Sequence, residues 1–204
     1  ITFAEIGSQV GEDTIHQYAD AFGFGATVEI PMASTPSVYP TGMDGAQLML
    51  SSFGQYDVQV SPLQIAMVTS AIANGGKLMK PTVVDSVLAP DLSPLTTFEP
   101  TEYSVPITEG TASTLVQMMI NNVQSGVASN AKIPGIAVAG KTGTAENGDG
   151  EPYTLWFTGF APADNPEVVV TVMVENGGGL GQSGSGNSVA APIARAIMKA
   201  VLSQ

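Results

Sequence analysis

The chain has no cysteine among its 204 residues, so neither a disulfide framework nor a thiolate metal site is open to it. It has a single histidine, His16. That makes a Ser-His-Asp triad a poor reading, and His16, set among helical positions, reads as a surface or packing residue. Basic residues number six against eighteen acidic ones, a formal net charge of −12. So few cations exclude nucleic acid and anionic lipid as partners of this segment, and the surplus acid reads as solubility. Charged residues of both signs make up only 12% and hydrophobic ones 44%, a composition that buries a core and does not stay disordered. The acidic residues show no metal-ligand spacing, and Asp149 and Glu151 read as turn residues. No apolar run approaches the roughly 18 residues of a membrane span. The longest, Val168 to Val174, has strand length and is interrupted by Thr171. No signal-peptide pattern opens the chain at Ile1.

What the chain does have is clear local punctuation. Phe3, Ile6 and Val10 recur at helical spacing, and Glu12-Asp13 open a second helix carrying Ile15, Tyr18, Ala19 and Phe22, which Gly23 stops. Gly25 to Ser52 reads as a long irregular stretch with Pro31, Pro36 and Pro40, and loops that long are functional or disordered. Ser61-Pro62 predicts a helix start with Ser61 as N-cap and Gln64 completing a capping box, and Gly75-Gly76 predict its end. Leu63, Ala66, Met67, Ser70, Ala71 and Asn74 keep one face of that helix small or apolar. Pro81 to Leu88 alternates weakly and predicts a strand, and Asp91 to Pro106 reads as a connector. Thr108 to Val123 predicts a second helix with Leu115, Met118, Met119 and Val123 as its buried stripe. Three strand-like runs follow, Ile136 to Ala145, Leu155 to Ala161 and Val168 to Glu175, then a Gly/Ser-rich loop and a final helix, Ala191 to Leu202. Helices, three sequential strands and a closing helix predict an α+β fold with an antiparallel sheet covered by helices.

The chemistry concentrates in Gly140-Lys141-Thr142-Gly143-Thr144-Ala145-Glu146. On a strand, Lys141 and Gly143 share one face and Thr142 and Thr144 the other, unless twist or a bulge intervenes. Lys141 can hold positive charge near a serine hydroxyl and an anionic substrate. Gly143, lacking a Cβ, lets a ligand lie against the backbone. The hydroxyls of Thr142 and Thr144 can donate to a carboxylate, and the Thr144 N–H can face a developing oxyanion, a donor worth on the order of 3 kcal/mol in the transition state.

Lys-Thr-Gly alone is a short string. The longer run, followed by Trp156-Phe157 and the Phe160-Ala161-Pro162 turn, resembles the transpeptidase domain of penicillin-binding proteins, of the class B, actinobacterial kind. Three further stretches carry the resemblance. They are Gly54-Gln55 with Val60-Ser61-Pro62-Leu63-Gln64-Ile65-Ala66, then Ala71 to Gly76, and Val174-Glu175-Asn176 with its glycine loop and Ala191-Pro192-Ile193-Ala194. The resemblance spans nearly the whole chain. It implies a serine β-lactamase/D,D-peptidase-like fold and an enzyme that cross-links peptidoglycan stem peptides through a serine acyl-enzyme, with β-lactams acylating the same serine. It implies Lys141 as the catalytic residue that orients protons, Thr142, Gly143 and Thr144 as the substrate or β-lactam site, and no metal or organic cofactor. Rival readings on the same fold are a serine β-lactamase or D,D-carboxypeptidase, and a non-catalytic β-lactam sensor or peptidoglycan-binding module.

Two motifs of that family have no credible match here. Ile1-Thr2-Phe3-Ala4-Glu5-Ile6-Gly7 resembles the helix that follows its Ser-x-Asn motif, which predicts that residues 1–204 are the C-terminal part of one such domain, starting just after Ser-x-Asn. The Ser-x-x-Lys nucleophile would lie further upstream, in a missing part of the same domain, and the 204 residues alone would be inactive. The parent enzyme would work outside the bacterial cytoplasmic membrane, anchored through a missing N-terminal region. Three look-alikes are set aside. Ser129-Asn130-Ala131-Lys132 lacks a helix start to present both side chains, Ser185-Gly186-Asn187 follows the Lys-Thr-Gly strand in a loop, and Gly179-x-Gly181-x-x-Gly184 has no later strand or acidic ribose partner.

Overall fold

Two short helices open the chain, α1 (Thr2–Val10) and α2 (Glu12–Ala21), as the spacing predicts. The computed structural model describes residues 1–28, 30 and 34–204, so Pro31 lies outside the described residues. Within the stretch read as irregular there is a further helix, α3 (Gly45–Ser51). Asp44 and Gln47 close a full capping box at its start, a signal present in the sequence but masked by the surrounding prolines.

Helix α4 (Pro62–Ala73) starts at Ser61, whose side chain accepts from the Gln64 N–H. The predicted box is only half made. The Gln64 amide reaches instead to the Phe22 carbonyl at 2.8 Å, and the Ser61 N–H donates to Ser37 Oγ at 3.1 Å. A buried tertiary acceptor has outcompeted the local one. After α4, Gly76 takes φ 96°, and a Cβ there would overlap the Ile107 carbonyl oxygen, so both conformation and space demand glycine.

The segment after α4 is more ordered than predicted. Strand β1 (Leu78–Met79) pairs antiparallel with β4 (Glu102–Ser104), and β2 (Ser86–Leu88) with β3 (Pro94–Thr97). The strand predicted over Pro81 to Leu88 shrinks to its last three residues, and the connector 91–106 supplies β3 and β4. Helix α5 (Glu109–Ser125), capped by Thr108, buries Ala112, Met119 and Val123. Met118 from the predicted stripe is 61% exposed, because it falls outside the face of the helix that Ala112, Met119 and Val123 bury.

Strands β5 (Ala139–Ala145), β6 (Thr154–Ala161) and β7 (Val168–Val174) form one antiparallel sheet in that order. Period-2 alternation sorts its two faces. Phe157, Ala161 and Val170 point to the side where α6 (Ala191–Leu202) packs through Ala191, Ala194 and Met198. Phe160 and Ala139 point the other way, packing with Met119 and Ala163 and with Ile72 and Ala73 of α4. The small residues on α6 let the helix lie close to the sheet. Phe157 and Phe160 are fully buried, one on each face, and truncating either to alanine is worth ~3–5 kcal/mol on the usual scale of core cavities. Met67, Ala71 and Leu78 form a third cluster under α4, with Phe22, Val28 and Leu63 around it. The α+β architecture is as predicted. Among the described residues no helix is long and apolar enough to cross a membrane.

Candidate active site

In β5, Lys141 stands opposite Thr158 and Gly143 opposite Trp156. Directly opposed residues of an antiparallel pair project from the same face. A Cβ on Gly143 would indeed come within 3.1 Å of Trp156 Cβ, whereas one on Gly140 would run into Phe157 and Val123 on the opposite face. The alternation read from the sequence therefore holds. Lys141 and Gly143 lie on the α4 face, and Thr142 and Thr144 are offset to the other side of the strand.

The second edge of β5 carries no further strand among the described residues. At its start, Asn122 Nδ2 donates to the Gly140 carbonyl at 2.9 Å, so α5 satisfies one outward-facing acceptor. Past that point the strand borders a cavity of about 590 Å³. Lys141, Thr142, Gly143, Thr144 and Ala145 all line it, with Thr154, Trp156 and Thr158 from β6. All four predicted site residues are thus brought to one cleft, because at a sheet edge both side-chain sets have access to the same space.

The opposite wall was not read from the sequence as part of a site. It consists of Phe24, Tyr39, Phe53, Gly54, Gln55, Val58 to Val60 and Ile65. Val38 and Gln59 exchange backbone hydrogen bonds of 2.7 and 3.0 Å, and Tyr39 Oη meets Ser51 Oγ at 2.8 Å. These bonds tie residues 38 and 39 to the end of α3 and to the segment before α4. The signals in the sequence were the length of the irregular segment and the Gly54-Gln55 pair, and neither says which surface it faces.

Lys141 is the one strongly placed charge of the β5 strand. Its Nζ donates to the Thr142 carbonyl at 2.6 Å. Among the described residues it has no carboxylate within ion-pair distance, although the chain carries eighteen acidic residues. Lys141 as a whole is exposed, and the partial desolvation of its ammonium against the cleft lowers its pKa from the ordinary lysine value. One proton of the ammonium is engaged and two are available.

Behind β5, on the α6 side, lies a turn over residues 186–190. Its Gly186 sits directly on the strand pair. A Cβ there would overlap the Trp156 carbonyl oxygen and come within 2.7 Å of Gly143 O and 3.2 Å of Gly143 N.

Residues 1–199 match the family described as penicillin binding protein transpeptidase domain. The chain belongs to this family. It is 39% identical over 204 residues to the peptidoglycan D,D-transpeptidase PbpA of Mycolicibacterium smegmatis, covering 98% of this chain and 41% of that protein. It resembles the structure of penicillin-binding protein A from M. tuberculosis as a ceftriaxone acyl-enzyme complex, with a TM-score of 0.93 and 35% identity, over 98% of this chain and 45% of the other. The D,D-transpeptidase domain of a peptidoglycan glycosyltransferase from Eggerthella lenta superimposes with a TM-score of 0.88 at 30% identity, over 99% of this chain and 51% of the other. The chain therefore spans less than half the length of the curated relatives it matches first.

In this chain the look-alike motifs have structural employment. Asn130 donates from its backbone N–H to Asn187 Oδ1 at 3.0 Å and from Nδ2 to the Asn187 carbonyl at 2.9 Å. Ser129-x-x-Lys132 and Ser185-x-Asn187 are thus tied to one another, and Ser185 caps the Ser188 N–H at 3.1 Å. The glycine loop forms short 3-10 turns, and Gln182 from it donates to the Glu151 carbonyl at 3.0 Å. Gln182 also lines a depression that shares Phe53 and Gln55 with the cleft, so the loop borders it. His16 pairs with Asp20 at 3.1 Å on the exposed side of α2.

Proposed function

We propose that this chain is the cleft-forming, C-terminal part (1–204) of a peptidoglycan D,D-transpeptidase domain that is acylated by β-lactams. The observation that carries the reading is the placement of Lys141 to Thr144 along an open cleft wall, with Lys141 held there unpaired by any carboxylate among the described residues. A carboxylate at the end of a stem peptide, or on a β-lactam, is the anion this wall suits. Thr142 and Thr144 donate hydroxyl hydrogen bonds to it, and Gly143 leaves room for the ligand backbone. Lys141 supplies charge and handles protons beside a serine nucleophile, and the Thr144 N–H contributes to an oxyanion hole. The serine of Ser-x-x-Lys and the Ser-x-Asn motif come from polypeptide outside these 204 residues. The serine Oγ attacks the scissile carbonyl, expels the leaving amine and forms an ester. An amine of a second stem peptide then displaces the serine. The enzyme works on the outer side of the cytoplasmic membrane, anchored through a region outside this chain. That relatives are named D,D-transpeptidases, and that one is a ceftriaxone acyl-enzyme, supports the reading.

Intact mass of a polypeptide as long as the relatives, with and without penicillin, tests it. The expected result is one stable adduct per chain, and no adduct on the 204-residue chain alone. Absence of an adduct on the long polypeptide counts against the reading. Rapid loss of the adduct with turnover of the antibiotic would instead make the protein a β-lactamase.

A further inference from the structure

A chain of three threonine hydroxyls crosses the interface between α4 and the sheet. Thr171 Oγ1 on β7 lies 2.8 Å from Thr158 Oγ1 on β6, which lies 2.7 Å from Thr69 Oγ1 on α4, and Thr69 Oγ1 is 2.8 Å from the Ile65 carbonyl. Each hydroxyl has one proton. The Ile65 carbonyl can only accept, so Thr69 donates to it and must accept from Thr158. Thr158, having given its proton to Thr69, accepts from Thr171. The chain therefore runs in one direction, from β7 through β6 to α4, with Thr69 only 2% exposed.

Its place in the sheet ties it to the cleft. Lys141, Thr158 and Thr171 are successive cross-strand partners, one row on one face. Ile65, whose carbonyl ends the chain, lines the cleft with Lys141 and Thr158. β5 is an edge strand, so at Lys141 its only strand neighbour among the described residues is β6. Thr158 is the hydroxyl that joins this row to α4, beside the apolar packing of Ile72 and Ala73 against Phe160 and Ala139.

We propose that Thr158 is a positioning residue for Lys141, acting through the hydroxyl chain Thr171–Thr158–Thr69–Ile65 that sets the β5 strand at a fixed distance from α4. The inference rests on the acyl-transfer reading of the cleft for its functional consequence, and on the hydroxyl chain alone for its structural one. Valine at 158 keeps the shape, removes the central proton and leaves the Thr171 donor without its acceptor. Serine keeps the proton.

Two measurements on the relative-length polypeptide test it. The first is the second-order rate of acylation by a fluorescent penicillin. Thr158→Val and Thr69→Val should each slow it about tenfold, the scale of one partly buried hydrogen-bond partner left unmet, and the double variant should be no slower than either single one. Thr158→Ser should return the rate to within about twofold of wild type, since it restores the same donor and acceptor. The second is the Cε resonance of Lys141 in lysine-labelled protein, assigned by its disappearance in Lys141→Arg. It should move in Thr158→Val and Thr69→Val and return in Thr158→Ser. The proposal is overturned by a Lys141 resonance unmoved in Thr158→Val, by additive losses in the double variant, or by failure of serine to rescue. A wild-type protein that takes up no penicillin would remove the acyl-transfer reading, while the resonance would still decide whether Thr158 positions Lys141.

Discussion

At the scale of the residue, Lys141 carries a conflict between stability and chemistry. Its ammonium is held against the cleft with a single carbonyl partner, and burial lowers its pKa from the ordinary 10.5. The folded protein thus releases this proton at a lower pH than the unfolded chain does. Between the two values the unfolded chain binds more protons, so this group's contribution to stability rises with pH there. Below the lowered value both states are charged, and what remains is a desolvation penalty kept small by the exposure of Lys141. Lys141→Met should therefore leave the melting temperature at neutral pH unchanged or higher, while acylation by penicillin falls about a hundredfold or more, the scale of losing one preorganised electrostatic group. A marked drop in melting temperature would show that Lys141 supports the fold. The same shift sets an alkaline limit. Acylation should decline as pH rises through a value below 10.5, and Lys141→Arg, which keeps its charge, should lose that limb in a pH–rate profile.

At the scale of the element, the β5 strand is held from three sides. β6 pairs with it, Asn122 of α5 takes the Gly140 carbonyl, and Gly186 presses on the backbone of Gly143 and Trp156 from behind. The last contact leaves no room for a side chain, because the atoms it would meet are backbone and cannot rotate away. Gly186→Ala should cost ~1–3 kcal/mol of stability, the usual range for overpacking, and be read directly as a lowered midpoint in denaturant. An unchanged midpoint would mean that the 186–190 turn yields easily and gives β5 no support. The clasp of Asn130 to Asn187 anchors that turn to the residues after α5, so the two strings that look like serine motifs are engaged with one another in a structural contact.

At the scale of the whole molecule, the chain leaves apolar surface uncovered. Phe3, Ile6 and Val10 of α1 are exposed, as are Ile193, Ile197 and Val201 along the outer face of α6. β7, a seven-residue strand rich in valine, has a partner on one edge only among the described residues. An open apolar edge is an invitation to pair with another chain. We expect the 204-residue chain by itself to bind a hydrophobic dye and to associate at micromolar concentration, and a polypeptide of the relatives' length to do neither. A monodisperse, dye-free 204-residue chain in light scattering would count against that coverage.

What the sequence determined by itself was whatever rests on local physics. Helices α1, α2, α4 and α5 follow from apolar spacing and, for α4, from Ser61 as its cap, and β6 and β7 from their β-branched and aromatic runs. The face shared by Lys141 and Gly143 follows from strand alternation alone, and the family from a run of residues around them. Tertiary structure decided the rest, because it depends on partners distant along the chain. Gln64 left its predicted box for the Phe22 carbonyl, Met118 lost its place in the core to the narrow contact of α5, and residues 91–106 became strands only by pairing with 78–88. The far wall of the cleft, Phe53 to Gln55 and Ile65, and the hydroxyl chain behind Lys141 were invisible for the same reason. Thr69 and Thr158 stand 89 positions apart, and no periodicity within either segment says that their hydroxyls meet.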